Sequence, residues 1–272
     1  MLDQYAVMGN PISHSKSPFI HSLFANQTQQ KLEYIPLHVD VDGFVEAVKT
    51  FSDNNGKGLN ITVPFKQSAW EIVNERSARA EKAGAINTIT IQQGNHLVGD
   101  NTDGIGLVRD LQTNLDLSMC DKKILVLGAG GAVRGVLGPI LEQKPKSVVV
   151  VNRTESKALE LEKLFKNDGP IRGVSYDNLE ETPFDLVING TAASLGGEVP
   201  SISVENVKHA CCYDMMYSKD DTVFMAWAKQ NKAKEVWDGL GMLVEQAAES
   251  FYIWRGVRPD TEYVIQQVRE SF

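Results

Sequence analysis

The sequence predicts an α/β protein made of two α/β domains, and three observations lead to that prediction. Apolar, strand-like runs alternate with amphipathic helices along most of the 272 residues, which is typical of a mainly parallel, doubly wound sheet. A glycine cluster at residues 128–131 follows one such strand and opens a helix, as in a Rossmann-type unit. After Gly239 the alternation gives way to two helices, which predicts that the C-terminal segment returns to the first domain.

The domain limits and the elements follow from these patterns. We expect a first domain at residues 1–102 plus 239–272 and a Rossmann-type domain at 103–238, with a small-molecule site in the cleft between them. In the first domain the sequence predicts strands at residues 4–8, 32–39, 59–63 and a hairpin of 87–91 with 96–98, and helices at 17–29, 41–52 and 65–76. In the second it predicts strands at 123–127, 184–189, 211–215, 234–237 and one ending at Asn152, and helices at 104–114, after the glycine cluster and at 223–231. Helices at 242–255 and 261–272 close the chain.

Composition limits the kind of partner. Hydrophobic residues make up 42% and charged residues 23% of the chain, which is ordinary for a globular protein with a sizeable core. The net charge of −8 disfavours nucleic acid and anionic membranes as partners. There is no apolar run of membrane-spanning length and no signal-peptide pattern at the N-terminus. Monomer and homodimer both remain open.

The cysteines and histidines predict a compartment and exclude a metal. Cys120, Cys211 and Cys212 form an odd set with a vicinal pair, which is not a disulfide framework, so we expect a cytoplasmic protein. The five histidines are scattered, and no cluster of His, Cys and carboxylates has metal-ligand spacing. We therefore expect no metal.

The glycine cluster predicts a dinucleotide site. Gly128, Gly130 and Gly131 would let the backbone approach a pyrophosphate, and the helix N-terminus offers free N–H groups to its charge. The third glycine of the G-x-G-x-x-G pattern is replaced by Val133, so an ordinary strand-to-helix turn is the alternative. The strand before the cluster and the strand after its helix favour the dinucleotide site.

The end of the second strand of this unit predicts which dinucleotide. An NAD site usually carries Asp or Glu there for the ribose 2′-hydroxyl. This chain has Asn152 followed by Arg153, with Lys157 one turn on. Cations at this position suit a 2′-phosphate, so the predicted cofactor is NADP.

Polar residues in the first domain gather at the ends of predicted strands. Ser15 and Ser17 lie in the loop after the first strand, where Ser17 on its own is more simply explained as a helix cap. Asn60, Thr62 and Lys66 lie at the carboxyl end of a strand, where open α/β sheets bind ligands. The alternative for Lys66 is an exposed, solvated lysine.

Two further polar segments lie near the domain boundary. Asn87 enters a strand, where a lone asparagine more often makes turn contacts than ligand contacts. Asp100 and Asp103 lie at the boundary itself, where either could cap the next helix or could face the cleft and pair with a lysine as acid–base catalysis requires. Sequence spacing does not show whether Lys66 and Asp103 meet.

Together these segments resemble the shikimate dehydrogenase family, whose members are NADP-dependent enzymes of aromatic amino-acid biosynthesis. The likeness covers essentially the whole chain and lies in YAVMGNPISHSKSP, LNITVPFK, AGAINT, GDNTDGIGL, VLGAGGAVRG, NRT, YDMMY and DGLGMLVEQAA. The resemblance implies reversible hydride transfer between NADPH and the ketone of 3-dehydroshikimate, giving shikimate on the route to chorismate.

The resemblance also implies roles for individual residues. Lys66 and Asp103 match the catalytic pair of the family. The residues implied to bind substrate are Ser15, Ser17, Asn60, Thr62, Asn87, Asp103, Tyr217 and Gln246. The residues implied to bind NADP are Gly128, Ala129, Gly130, Gly131 and Ala132 at the pyrophosphate, Asn152, Arg153, Thr154 and Lys157 at the 2′-phosphate, and Met215 and Gly239 near the nicotinamide.

The chain departs from the family pattern on the cofactor side. The usual Asn-Ala-Thr-Ser/Pro-x-Gly is replaced by Asn189, Gly190, Thr191, Ala192, Ala193 and Ser194, and Val133 stands where a smaller residue is common. Two other functions remain alternatives. A quinate/shikimate dehydrogenase with relaxed cofactor use would be expected to place an acidic group near the second-strand end. A non-catalytic NADP-binding sensor would have no reason to keep Lys66 and Asp103 beside a full set of substrate residues.

Overall fold

The computed structural model describes residues 2–191, 198–199 and 201–272. Ala192, Ala193 and Ser194 of the departing segment lie outside the described residues. The chain forms two compact units, a first unit of Met1–Gly106 with Leu243–Ser271 and a second unit of Leu107–Met242 with Phe272. Both sequence-predicted boundaries, after residues 102 and 238, lie a few residues before these limits.

Strands and helices alternate along both units. The chain begins with β1 (Asp3–Gly9), α1 (Ser17–Thr28), β2 (Leu32–His38), α2 (Phe44–Asp53), β3 (Gly56–Ile61), α3 (Lys66–Ile72), β4 (Glu75–Arg76), α4 (Ala78–Ala83), β5 (Thr88–Ile91) and β6 (Leu97–Asp100). It continues with α5 (Asp103–Arg109), β7 (Lys123–Leu127), α6 (Gly131–Glu142), β8 (Ser147–Val151), α7 (Glu155–Phe165), β9 (Ile171–Val174), β10 (Leu186–Asn189), α8 (Val204–Val207), β11 (Cys211–Asp214), α9 (Val223–Gln230), β12 (Glu235–Asp238), α10 (Leu240–Arg255) and α11 (Glu262–Glu270). A π-helical turn, Asp110–Asn114, extends α5.

The first unit contains a mixed sheet of order β2-β1-β3-β5-β6-β4. Strands β2, β1 and β3 are parallel, whereas β5 pairs antiparallel with both β3 and β6. The predicted hairpin is confirmed, and its turn places Gly94 at φ +72°, a conformation that favours glycine. Strands β2 and β3 lie on opposite sides of β1, so the chain adds strands first on one side of β1 and then on the other. The loops after β1 and β3 therefore flank the position where open sheets bind ligands.

Two predicted boundaries in the first unit are wrong. The helix expected to run to residue 76 ends at Ile72 because Val73 adopts extended geometry, and β4 and α4 follow. The strand expected to begin at residue 59 begins at Gly56. Glycines usually weaken a strand, but here a Cβ on Gly58 would lie 2.5 Å from Nε1 of Trp254, so the missing side chain admits the indole.

The second unit contains a parallel sheet of order β12-β11-β10-β7-β8-β9, which is the doubly wound Rossmann order. The direction of winding reverses between β7 and β10. Strand β9 is absent from the sequence prediction, since its short sequence IRGV contains Gly173. A Cβ on Gly173 would lie 2.4 Å from the carbonyl oxygen of Ala158, so this glycine allows α7 to pack closely on the sheet.

Within the described residues, none of the helices combines the length and apolar character that a membrane crossing needs.

Candidate active site

Lys66 and Asp103 form an ion pair in the first unit. Lys66 is the first residue of α3, and Asp103 is the first residue of α5. The Nζ of Lys66 donates to Oδ2 of Asp103 at 2.5 Å, with 29% of the lysine side chain and 12% of the aspartate side chain exposed. Lys66 is therefore not simply a solvated lysine, and Asp103 does more than cap a helix. The pair is partly open to solvent, so the lysine can reach a ligand while Asp103 holds its charge.

Asn87 orients the Asp103 carboxylate. Its Nδ2 donates to Oδ1 of Asp103 at 2.8 Å and to Oε1 of Gln246 at 3.3 Å. Its Oδ1 accepts the backbone N–H of Thr102 at 2.9 Å. A backbone N–H can only donate and a carboxylate can only accept, so these contacts define which end of the amide faces Asp103. Asn87 therefore makes more than the turn contacts expected of a lone asparagine.

Asn60 is a buried centre of hydrogen bonds, with 7% of the residue exposed. Its Oδ1 accepts the hydroxyl of Tyr34 at 2.7 Å, and its Nδ2 donates to Oγ of Ser250 at 3.0 Å and to the carbonyl of Asn87 at 3.2 Å. Burial raises the pKa of Tyr34 well above its usual value, so this phenol remains a donor. Nδ2 also donates to Oγ1 of Thr88 at 3.3 Å, so the amide of Asn60 links β2, β5 and α10.

Ser15 and Ser17 lie together at the start of α1. The backbone N–H of Ser17 donates to Oγ of Ser15 at 3.3 Å. The interpretation of Ser17 as a helix cap is wrong, because Lys16 occupies the N-cap position and Ser17 is already the first helical residue. Both serines are half-buried.

Residues 10–16, between β1 and α1, form a loop that carries Ser15 and is called the serine loop. It packs against the loop that carries Thr62. The backbone N–H of Asn10 donates to the carbonyl of Val63 at 3.0 Å. A Cβ on Gly9 would lie 2.5 Å from Cγ2 of Thr62, so only glycine allows this approach. The predicted residues Ser15, Ser17, Asn60, Thr62, Lys66, Asn87, Asp103 and Gln246 all belong to the first unit.

Several polar residues of this site escape sequence reasoning. Tyr34, Thr88, Thr102 and Ser250 all bond to Asn60 or Asn87 through their hydroxyls. Thr88 and Thr102 directly adjoin two predicted residues, which is the one signal the sequence carries. Ser250 has none, since it lies on the apolar face of a long helix.

The glycine cluster of the second unit forms an open helix N-terminus. Gly128 directly follows β7 and has φ +101°, which favours glycine. A Cβ on Gly130 or on Gly131 would meet nothing within 4 Å among the described residues, so none of their side chains fills the space in front of α6. Ala129 and Ala132 flank these glycines. The cradle fits the pyrophosphate of a dinucleotide, whose charge the N–H groups of a 12-residue helix favour.

Two departures from the family pattern compensate each other in this unit. Val133 is fully buried in α6. A Cβ on Gly190 would lie 2.4 Å from Cγ2 of Val133 and 3.1 Å from the sulfur of Met215. The valine at position 133 of α6 therefore fits because residue 190, after β10, is a glycine without a side chain.

The predicted 2′-phosphate residues lie at the carboxyl end of β8. Nδ2 of Asn152 donates to the carbonyl of Thr154 at 2.8 Å, and Arg153, Thr154 and Lys157 are exposed. The nearby Glu155 carboxylate accepts the N–H of Ser175 at 3.3 Å and Nδ2 of Asn178 at 3.0 Å. The edge thus offers two exposed cations to a phosphate, while its acidic neighbour is engaged with the chain after β9.

The predicted nicotinamide residues follow β11 and β12. The N–H of Met215 donates to the carbonyl of Asn189 at 2.9 Å, and a Cβ on Gly239 would lie 2.4 Å from the carbonyl oxygen of Met215. Glycine at 239 therefore lets these two strand ends pack together. Tyr217 also follows β11 and is half-buried, and burial raises the pKa of its phenol. No group of three potential metal ligands occurs among the described residues.

Comparison with known families decides the relationship. The shikimate dehydrogenase substrate binding domain matches residues 7–89, and the shikimate / quinate 5-dehydrogenase family matches residues 110–215. The shikimate 5'-dehydrogenase C-terminal domain matches residues 239–269. The chain belongs to the shikimate dehydrogenase family. The family predicted from the sequence is thereby confirmed.

Individual proteins and solved structures resemble the chain over nearly its full length. A protein of Hahella chejuensis named shikimate dehydrogenase (NADP(+)) is 54% identical, with 99% of this chain and 100% of that protein covered. The crystal structure of an Ael1 enzyme from Pseudomonas putida has 44% identity and a TM-score of 0.93, with 97% of each chain covered. The structure of shikimate 5-dehydrogenase from Thermus thermophilus in complex with NADP(H) and shikimate has 29% identity and a TM-score of 0.88, with 100% of each chain covered. The predicted two-domain α/β fold is confirmed.

Proposed function

We propose that the chain catalyses the reversible, NADPH-dependent reduction of 3-dehydroshikimate to shikimate, a step of aromatic amino-acid biosynthesis through chorismate. Membership of the family and the NADP-dependent activity named for its close relatives support this oxidoreductase function. The observation that carries it is the pair of Lys66 and Asp103, held 2.5 Å apart beside Asn87.

The chemistry of the pair fits the reduction of a ketone. When bound, NADPH supplies a hydride to the carbonyl carbon, and the carbonyl oxygen then needs a proton. The ammonium of Lys66 donates this proton, and Asp103 holds the ammonium in place and stabilises its charge. In the reverse direction neutral Lys66 accepts the proton of the alcohol. Asn87 keeps the carboxylate turned towards the lysine throughout.

The remaining predicted residues bind and orient the substrate in this proposal. Ser15 and Ser17 present hydroxyls beside a helix start and would receive the substrate carboxylate. Asn60, Thr62, Asn87, Gln246 and Tyr217 would contact or orient the ring hydroxyls. The proximity of the serine loop and the Thr62 loop supports a single substrate site at the carboxyl ends of β1 and β3.

The second unit is the NADP-binding domain in this proposal. Gly128, Ala129, Gly130, Gly131 and Ala132 would hold the pyrophosphate. The 2′-phosphate would be held by Asn152, Arg153, Thr154 and Lys157, and the nicotinamide would lie near Met215 and Gly239. The positive φ of Gly128, the open space before α6 and the exposed cations after β8 support these assignments.

The proposed setting is a cytoplasmic enzyme that acts on small molecules, as a monomer or a homodimer. Its three cysteines are unpaired in the structure, which agrees with a reducing compartment.

Initial rates with four pairs of reactants test the proposed function. NADP reduction is followed by NADPH absorbance with shikimate, and the same assay is run with shikimate and NAD and with quinate and either cofactor. Strong activity with shikimate and NADP alone is the expected result. Comparable rates with quinate or NAD would assign the chain to the relaxed-specificity enzymes. NADP binding without turnover of any pair would indicate the sensor.

A further inference from the structure

Buried hydroxyls connect the two asparagines of the substrate site. Thr88 and Ser250 are both fully buried, and their hydroxyl oxygens lie 2.7 Å apart. Oγ of Ser250 also accepts Nδ2 of Asn60 at 3.0 Å. Oγ1 of Thr88 donates to Oδ1 of Asn87 at 2.8 Å. A continuous chain of hydrogen bonds therefore runs from Asn60 through two hydroxyls to Asn87.

The same chain continues to the catalytic pair. Nδ2 of Asn87 donates to Oδ1 of Asp103 at 2.8 Å, and the other carboxylate oxygen accepts Nζ of Lys66 at 2.5 Å. Every link lies within the first unit. The orientation of the Asp103 carboxylate thus depends on Nδ2 of Asn87. The opposite end of the same amide, Oδ1, is held by the hydroxyl of Thr88.

We propose that Thr88 and Ser250 are positioning residues, which hold the Asn87 amide and through it the Asp103 carboxylate in the orientation that proton transfer requires. The inference rests on the proposed function, because it assigns a task in the proton-transfer step. Neither residue is a substrate ligand, since neither has any exposed surface that a bound molecule could contact.

Burial makes these hydroxyls consequential. A polar group left without a partner in the interior costs more than a hydrogen bond contributes, so removal of a hydroxyl would weaken the hydrogen bonding that orients the surrounding amides. Without the Thr88 hydroxyl, Oδ1 of Asn87 still accepts the backbone N–H of Thr102 at 2.9 Å and the hydroxyl of Thr102 at 3.2 Å. Without the Ser250 hydroxyl, Nδ2 of Asn60 still donates to the carbonyl of Asn87 at 3.2 Å and to Oγ1 of Thr88 at 3.3 Å. The asparagines would stay in place but would be less well ordered.

A matched pair of variants at position 88 separates the hydroxyl from the packing. Thr88→Val keeps the branched shape and removes the hydroxyl, whereas Thr88→Ser keeps the hydroxyl and removes a methyl group. We expect Thr88→Val to lower kcat/KM for shikimate by about tenfold, and Thr88→Ser to stay within about twofold of wild type. The Kd for NADP should be unchanged in both, because the glycine cluster belongs to the second unit.

Ser250→Ala gives an independent test should Thr88→Val fail to fold. It should lower kcat/KM for shikimate as Thr88→Val does, and the double variant should lose less than the product of the two single losses, because both act on one chain of bonds. Ser52→Ala is the control. Ser52 is also a buried helix serine of the first unit, but its hydroxyl has no hydrogen-bond partner in the described part of the chain, so its removal should leave kcat/KM unchanged.

The outcomes distinguish this inference from the proposed function. Absence of shikimate turnover by the wild-type protein would overturn the proposed function itself. With an active wild type, the inference is overturned if Thr88→Val retains normal kcat/KM, or if Thr88→Ser loses as much as Thr88→Val. An equal loss in Ser52→Ala would likewise overturn it, because the effect would then belong to packing in general.

Discussion

His21 is expected to make the first unit sensitive to mild acid. Its side chain is buried, with 1% of the residue exposed, and neither ring nitrogen has a hydrogen-bond partner among the described residues. The ring stacks on Tyr34 with centroids 4.1 Å apart and planes 6° apart, and Tyr34 in turn donates to Asn60. Burial lowers the pKa of His21 from 6.5 to about 3, and this shift outweighs the opposing effect of the nearby Asn60 side chain.

The sign and size of the effect follow from linkage. Because the pKa of His21 is lower in the folded than in the unfolded chain, the unfolded chain binds the proton first as the pH falls. The free energy of unfolding is thus unaffected above the unfolded pKa of 6.5 and decreases between 6.5 and about 3. Each pH unit in this window costs about 1.4 kcal/mol, so the loss between about pH 7 and about pH 5 is ~2 kcal/mol.

Urea unfolding of wild type and His21→Phe at these two pH values measures the effect. Phenylalanine keeps a stacked ring and cannot be protonated. Its larger size can alter the stability at every pH, so the quantity compared is the change in unfolding free energy between the two pH values. Wild type should lose ~2 kcal/mol more than the variant on acidification. Replacement of the exposed His14 by Gln serves as the control and should behave as wild type.

Equal pH dependence in wild type and His21→Phe would refute this reasoning. It would mean that His21 is protonated in the folded chain without cost, so the ring would have to be hydrated or paired rather than enclosed.

Two further predictions concern the second unit. Arg153→Asp should raise the KM for NADP by at least about tenfold more than the KM for NAD, because it replaces a cation that binds the 2′-phosphate by an anion that repels it. Equal changes in the two KM values would show that Arg153 does not bind the 2′-phosphate. Gly190→Ala should lower the free energy of unfolding by roughly 1–3 kcal/mol through its clash with Val133, and Val133→Ala in the same chain should restore much of it. Additive losses in that double-mutant cycle would contradict the size complementarity of the pair.

Most of the fold could be predicted from local patterns. Strands β7 and β10 contain the apolar runs ILVL and LVI, and the turn at Gly94 has a clear signature, so these elements lie where they were predicted, with β10 beginning at Leu186. Errors arise where tertiary contacts override local preference. Gly58 sits inside a strand because Trp254, distant in sequence, occupies the space above it, and Gly173 does the same under α7.

Sequence patterns and the family resemblance indicate which residues belong in the candidate site, but they do not give the contacts between them. Lys66 and Asp103 are 37 residues apart, and only the pairing of the strands between them brings them together. Ser250 is 162 residues from Thr88 and lies on a helix whose apolar pattern conceals a polar role. The sequence also could not predict that Val133 and Gly190 compensate each other in size. Each residue departs from the family pattern, and each departure taken alone suggests a weakened cofactor loop.

The turnover of Lys66→Ala tests the central claim, that Lys66 moves the proton, most directly. The variant should lower kcat for shikimate oxidation by roughly 10²-fold or more, the scale of general acid–base catalysis, while the Kd for shikimate changes little. Lys49→Ala, which removes an exposed lysine of α2, should retain the wild-type kcat. A near-normal kcat in Lys66→Ala would contradict the account and exclude Lys66 from the chemistry.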